Sequence, residues 1–245
     1  MSNTMRALFD DSEIASLVKR MELLPNLVRR QQEELILEQV SLPHEWLEEQ
    51  RQAFLGDQSL DQVLESRGWS ERDLDVKLQL PEALRRFAKQ RFGPGLEETF
   101  LSSRGGRDQV IYSLLRVRNA GLARELWIRL EEGETTFAEA AHQYGVGEEA
   151  LRRGVIGPMQ IGLLQPEVLQ EILRSLRPGE LSAPRQLGEW HVLMRLEQLQ
   201  PARFDEEMRE QMQQEALDAF LQERVKCVLQ GKAESLQPIH YDSEP

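Results

Sequence analysis

The spacing of apolar residues changes once along this chain, near Gly105-Gly106, and that change restricts the fold more than any other feature. Before it, apolar side chains recur every three or four residues, which places them on one side of a helix. Ile14, Leu17, Val18 and Met21 open the series, and Leu27, Val28, Leu35 and Val40 continue it after Pro25. Pro43, Gly56 and Gly68 punctuate the next helices. Ser70-Glu71-Arg72-Asp73 resembles a capping box with Asp in the acidic position, in which two side chains satisfy free N–H groups at the helix start. Pro81 is expected to break or kink the helix so begun, because it removes a backbone donor and crowds the preceding turn.

Past the two glycines the pattern differs. Gln109 to Val117 is β-branched and apolar, which reads as a strand. A helix from Asn119 to Leu130 ends near Gly133, and the capping box Thr136-Phe137-Ala138-Glu139 opens a short helix to Tyr144. An irregular stretch punctuated by Gly154, Gly157 and Gly162 precedes a helix from Pro166 to Leu176. Two short strands are expected near Ala183–Leu187 and Trp190–Leu196, then one long helix from Phe204 to Leu229. The fold class is therefore α+β: helices, a compact mixed unit, and a last helix. The expected divisions are 1–104, 105–200, 201–235 and a flexible tail at 236–245.

Composition removes several functions. Hydrophobic residues make up 40% of the 245, enough for a core, while no apolar run reaches the ~20 residues of a membrane span. A formal charge of -12 repels a phosphate backbone, so no nucleic-acid partner is expected. Cys227 is the only cysteine, and His44, His142, His191 and His240 form no metal-binding pair, so neither a disulfide nor a metal or other cofactor is expected. The stretch Met1 to Ser12 carries neither the basic nor the apolar part of a secretory signal, which gives a cytoplasmic expectation.

Residues 109 to 200 resemble a parvulin, the rotamase family that isomerises the bond before proline. The likeness lies in an ordered series: the strand Val110 to Val117, then Gly133 with Thr136-Phe137-Ala138-Glu139-Ala140-Ala141, and Arg153-Gly154-Val155-Ile156-Gly157 where the family has paired glycines. Leu176-Arg177-Pro178-Gly179-Glu180-Leu181-Ser182-Ala183-Pro184 and Gly188-Glu189-Trp190-His191-Val192-Leu193 complete it. The flanking helices, with Gly68-Trp69-Ser70 at a helix start, resemble the helical module of SurA-type and PrsA-type folding factors. The resemblance implies a small antiparallel sheet of about four strands flanked by helices. It also implies an N-terminal module completed by the long C-terminal helix. The implied activity is that of a foldase acting on unfolded or export-bound polypeptides, with a secretion apparatus as a further partner.

Rotation about a peptide bond meets a barrier of ~18–20 kcal/mol. Catalysis needs an apolar hole for the proline ring and polar groups that favour the twisted amide. The resemblance places Ile156, Leu164 and Val168 at the prolyl-binding positions, with Met159 and Arg153 nearby. The same spacing also suits ordinary core residues. The polar cluster is depleted. His191 occupies the last-strand histidine position, but the first strand offers only Tyr112 and Ser113 as hydrogen-bond partners for it. Tyr144-Gly145-Val146-Gly147 lacks the family's Asp or Cys, and one paired glycine is Arg153. Weak or lost catalysis is expected, the alternative being a non-catalytic chaperone or adaptor.

Three further features have two readings each. Phe204, Met208, Met212, Ala216 and Phe220 line one side of the last helix, as a client-binding stripe or as the face packed on the N-terminal helices. Arg152-Arg153 is either ordinary surface or a selector of acidic residues before proline. The acidic excess is either solvated surface or an attraction for basic clients.

Overall fold

The structure, a computed structural model, describes residues 10–232; the expected tail at 236–245 lies outside them. Two compact units are present. One takes the residues up to 96 together with those from 205 onward, and the other takes 97–204. The helical unit contains α1 (Asp11–Arg20), α2 (Leu24–Leu37), α3 (His44–Leu55), α4 (Leu60–Arg67), α5 (Glu71–Phe92) and the C-terminal α10 (Glu206–Leu229). Helix α6 (Leu96–Arg107) leads into the mixed unit. There follow β1 (Gln109–Val117), α7 (Ala120–Glu131), α8 (Phe137–Tyr144), β2 (Val155–Gln160), α9 (Val168–Ser175), β3 (Arg185–Leu187) and β4 (Trp190–Gln200).

In the helical unit α10 packs against α2 and α5. Ile36, Ala83, Phe87, Leu217 and Leu221 are buried together, with Phe92 and Phe220 against Phe87. Arg29 on α2 pairs with Asp218 on α10 at 2.5 Å, and Arg224 Nε donates to the buried Gln32 Oε1 at 2.6 Å. Met212 is buried, Met208 is half-buried, and Phe220 belongs to the core, so the apolar side of α10 is packing surface. Phe204 lies before α10 and stacks on Phe100 in the other unit's own interior, with ring centroids 5.3 Å apart.

Several local expectations are met by their caps. Ser59, Ser70 and Thr136 each close a complete capping box, and Gly68 ends α4 in the left-handed region at φ 62. Others are corrected. Helix α5 runs through Pro81 without a break, because Leu74, Leu80, Ala83, Phe87 and Ala88 bury one continuous side of it. Gly105 and Gly106, where the apolar spacing changes, stand inside α6. The close approach is at Gly162, where a Cβ would lie 2.7 Å from the Gly106 carbonyl oxygen. The glycine-punctuated stretch holds a strand, β2, which glycine's weak strand preference had hidden. Strand β4 extends to Gln200. No helix among the described residues is long and apolar enough to cross a membrane.

The four strands form one antiparallel sheet in the order β2-β1-β4-β3. Alternation along each strand divides their side chains between two faces. One face carries Val110, Tyr112, Leu114, Val192, Met194 and Leu196, packed with Leu169, Ile172 and Leu173 of α9. The other carries Leu115, Val117 and Leu193, covered by Ala123 and Leu126 of α7 and Phe137, Ala140 and Ala141 of α8.

Candidate functional site

The first face gathers most of the residues singled out from the sequence. Tyr112 on β1 stands directly opposite Ile156 on β2, and Val110 opposite Met159. An extra residue on β2 between these pairs lets Gly157, at φ 113, press against the Val110 carbonyl, where a Cβ would lie 2.5 Å from the oxygen. Leu164 follows a short 3-10 turn after β2, held as Gln170 Nε2 donates to its carbonyl at 2.9 Å. Val168 begins α9. Ile156, Met159 and Val168 are half-buried around a cluster whose floor is filled by Tyr112 and Leu164, each 3% exposed. The arrangement is an apolar ledge whose floor the molecule's own side chains already occupy, and Trp190 packs against the same cluster.

A segment strapped to β1 delivers Ile156 to this ledge. Val146 N–H donates to the Arg116 carbonyl at 3.1 Å, and Leu114 N–H donates to the Gly154 carbonyl at 2.8 Å. Between them the 3-10 turn Glu148–Arg152 supplies Glu149, which accepts two hydrogen bonds from the Arg116 guanidinium, at 2.6 and 2.5 Å. A Cβ on Gly147 would lie 2.2 Å from both partners of that ion pair, so a side chain there would push the pair aside. Burial raises the Glu149 pKa, but the Arg116 hydrogen bonds and charge outweigh it and hold the carboxyl below its ordinary value. The Arg116 guanidinium is correspondingly raised, first by its bond to Glu149. Burial, then the Glu149 charge, pushes the Tyr112 phenol up to about 12. Tyr112 is thus a neutral hydrogen-bond donor at physiological pH.

The proposed polar partners of His191 are not assembled. In the β1–β4 pairing His191 stands opposite Val117, and Ser113 stands opposite Arg195. Four residues of strand separate them, roughly 13 Å. Ser113 is buried and gives its hydroxyl to Glu197. Tyr112 points to the opposite face of the sheet from His191, because successive residues of a strand alternate. The sequence match at "WHVL" therefore brings Trp190, not the histidine, to the ledge face. Arg153 caps the 3-10 turn in the left-handed region at φ 55 with its side chain exposed, and forms no ion pair among the described residues. Sequence reasoning missed Arg116, Glu149 and Trp190. The available signal was Arg116 itself, a lone charge inside an apolar strand, answered by Glu148-Glu149 after a glycine-rich turn.

Comparison with known families agrees with this layout. Residues 118–198 match the family model described as rotamase, PPIC-type PPIase domain. This stretch is a parvulin-type rotamase domain. It fills about a third of the chain and includes α7 through most of β4. No curated protein matches the chain. Among solved structures, PrsA from Bacillus anthracis is 18% identical, with 88% of this chain and 99% of that one covered at a TM-score of 0.46. The parvulin domain of PpiD from E. coli is 20% identical over 40% of this chain and 95% of that one, TM-score 0.35. A SurA-like chaperone structure from Campylobacter jejuni is 12% identical over 96% of both chains, TM-score 0.39. In the rotamase domain of this protein, the apolar half of the expected site is present as a filled ledge. The polar groups on the same face are Tyr112, a neutral phenol, and Arg116, which is paired with Glu149.

Proposed function

We propose that the chain is a folding helper of the rotamase class that holds proline-containing or apolar stretches of unfolded or export-bound polypeptides, with isomerisation slow or lost. The observation that carries this reading is the ledge. Ile156, Met159 and Val168 offer apolar contact, while Tyr112 and Leu164 fill the floor where a proline ring would otherwise sink. His191 faces away from it. A surface of this kind grips by removing apolar area from water but encloses no amide to be twisted.

The helical unit supports a holding role for basic clients, because it carries 27 acidic against 17 basic residues, most of the chain's negative charge. A cytoplasmic setting belongs to this proposal, and cell fractionation tests it. A second reading, a non-catalytic adaptor that docks on a secretion partner, is favoured by Met21, Leu24 and Leu27, which lie exposed where α1 meets α2.

Two assays on the full chain test the main reading. Aggregation of a chemically unfolded client should be suppressed, while a proline-peptide isomerisation assay should show no acceleration above the buffer rate. Turnover like that of an intact parvulin overturns the slow-or-lost claim. Failure to suppress aggregation, with Ile156→Asp behaving as the parent, overturns the holding claim.

A further inference from the structure

The corner where α1 turns into α2 holds the longest run of exposed residues among those described. Residues 19–27 are all exposed, and they include Met21 at 63%, Leu23, Leu24, and Leu27 at 52%. Leu24 to Leu27 make up a full turn of α2, so their side chains leave its axis in every direction. With all four of them exposed, the corner projects from the helical unit as an apolar tip.

The backbone of this tip is closed on itself. Glu22 N–H donates to the Lys19 carbonyl at 3.2 Å and Leu23 N–H to the Val18 carbonyl at 3.0 Å, the paired bonds of a Schellman turn. Glu22 takes the left-handed conformation, φ 54, which that turn requires and glycine usually supplies. Pro25, in the first turn of α2, removes an N–H group that a helix start leaves without a partner. Each unpaired backbone group is costly in hydrocarbon, so this economy suits a tip that leaves water.

Charge and shape decide what receives it. Lys19 and Arg20, in the last turn of α1, form no ion pair among the described residues. Glu22 is the only acid in the exposed run. The next acids on either side, Glu13 and Glu33, lie about 9 Å further along their helices. Physiological salt screens most of a charge over that distance, and Glu33 is already paired with Arg29. The tip is therefore locally cationic on an otherwise acidic unit. A protein groove grips a helix by one apolar stripe. Leu23 and Leu24 are adjacent and Met21 caps the preceding helix, so these side chains fit no single stripe. A fluid acyl layer accepts them on all sides.

We infer that the α1–α2 corner docks on the surface of an anionic phospholipid bilayer. Met21, Leu23, Leu24 and Leu27 enter the acyl boundary, and Lys19 and Arg20 meet the headgroup phosphates. The contact is separate from the ledge. A secretion partner seated on the same residues is the competing occupant, and the test separates the two.

The experiment is co-sedimentation of the full chain with vesicles of phosphatidylcholine mixed with phosphatidylglycerol, beside vesicles of phosphatidylcholine alone. The parent should pellet with the mixed vesicles and more weakly with the neutral ones. Leu24→Asp/Leu27→Asp should lower the partition coefficient about tenfold or more on both. Lys19→Gln/Arg20→Gln should lower it about fivefold or more on the mixed vesicles alone. Both variants change only exposed residues, and unchanged thermal unfolding confirms that they fold. In Leu24→Trp, bromine-labelled acyl chains should quench fluorescence beyond their effect on the parent's own tryptophans, which reads entry of the tip. A parent that stays in solution, tip variants that bind like the parent, or no added quenching each overturns the proposal; the first leaves the tip to a protein partner. Ile156→Asp should lose client holding and keep vesicle binding. Loss of vesicle binding in that variant would move the contact to the ledge and also overturn the proposal. Leu24→Asp/Leu27→Asp should still suppress client aggregation, so the holding claim and the bilayer claim fail separately.

Discussion

The two faces of the sheet solve different problems with the same four strands. One packs Tyr112, Leu114, Met194 and Leu196 against the single helix α9 and leaves Ile156, Met159 and Val168 half-buried at its margin. The other is covered by two helices, and its polar residues, Ser113, Glu197 and Arg195, are tied to one another. A face covered by one short helix leaves apolar side chains half-buried at its margin. A face roofed by two helices becomes core.

That contrast breaks most readily at the roof. Phe137→Ala removes a fully buried ring from the two-helix face and is expected to destabilise the mixed unit by about 4 kcal/mol, read by chemical denaturation. A loss below about 1 kcal/mol would show that this face is not the more rigid core.

Next comes the strap that builds the ledge. Glu149→Ala leaves the partly exposed Arg116 guanidinium without its bidentate partner and should cost about 2 kcal/mol. The Glu149 carboxyl titrates lower folded than unfolded, so its contribution is present above the unfolded pKa and is lost as pH falls through the folded one. The parent and Glu149→Ala stabilities should therefore converge in acid; a constant gap would remove the ion pair from the explanation.

Tyr112 sharpens the comparison from the alkaline side. Its phenol ionises near 10 unfolded and about 12 folded, so between those values the unfolded state gives up its proton first and stability falls. The fall approaches about 2 kcal/mol at the upper end. Tyr112→Phe should remove that part of the alkaline loss and change stability at neutral pH by less than about 1 kcal/mol.

The smallest effect is reserved for the residue that the motif singled out. His191→Ala should alter client holding not at all and stability by less than about 1 kcal/mol, since the ring is only half-buried and lies off the ledge. A change in client holding as large as that of Ile156→Asp would return the histidine to the site.

Much of this was legible without coordinates, and the reasons are local. Capping boxes at Ser70 and Thr136 satisfy the N–H groups of their own first turn, so four residues suffice to announce the helix. The family resemblance named Ile156, Met159, Leu164 and Val168 as one group, and they do converge on one cluster. What failed was face assignment. Moving one residue along a strand turns a side chain to the other side of the sheet, so the match that put a histidine in the site put Trp190 there instead.

By itself, then, the chain's order of residues determined the helices, the presence of a strand after Gly106 and the rotamase-like sequence from Gly133 to His191, because caps, periodicity and turn residues act over a few neighbours. The antiparallel pairing decided the rest: which face Tyr112 and His191 occupy, and that Arg116 meets Glu149 across 33 positions. Those relations join residues distant in sequence, and only packing brings such residues within reach of one another's charge and surface.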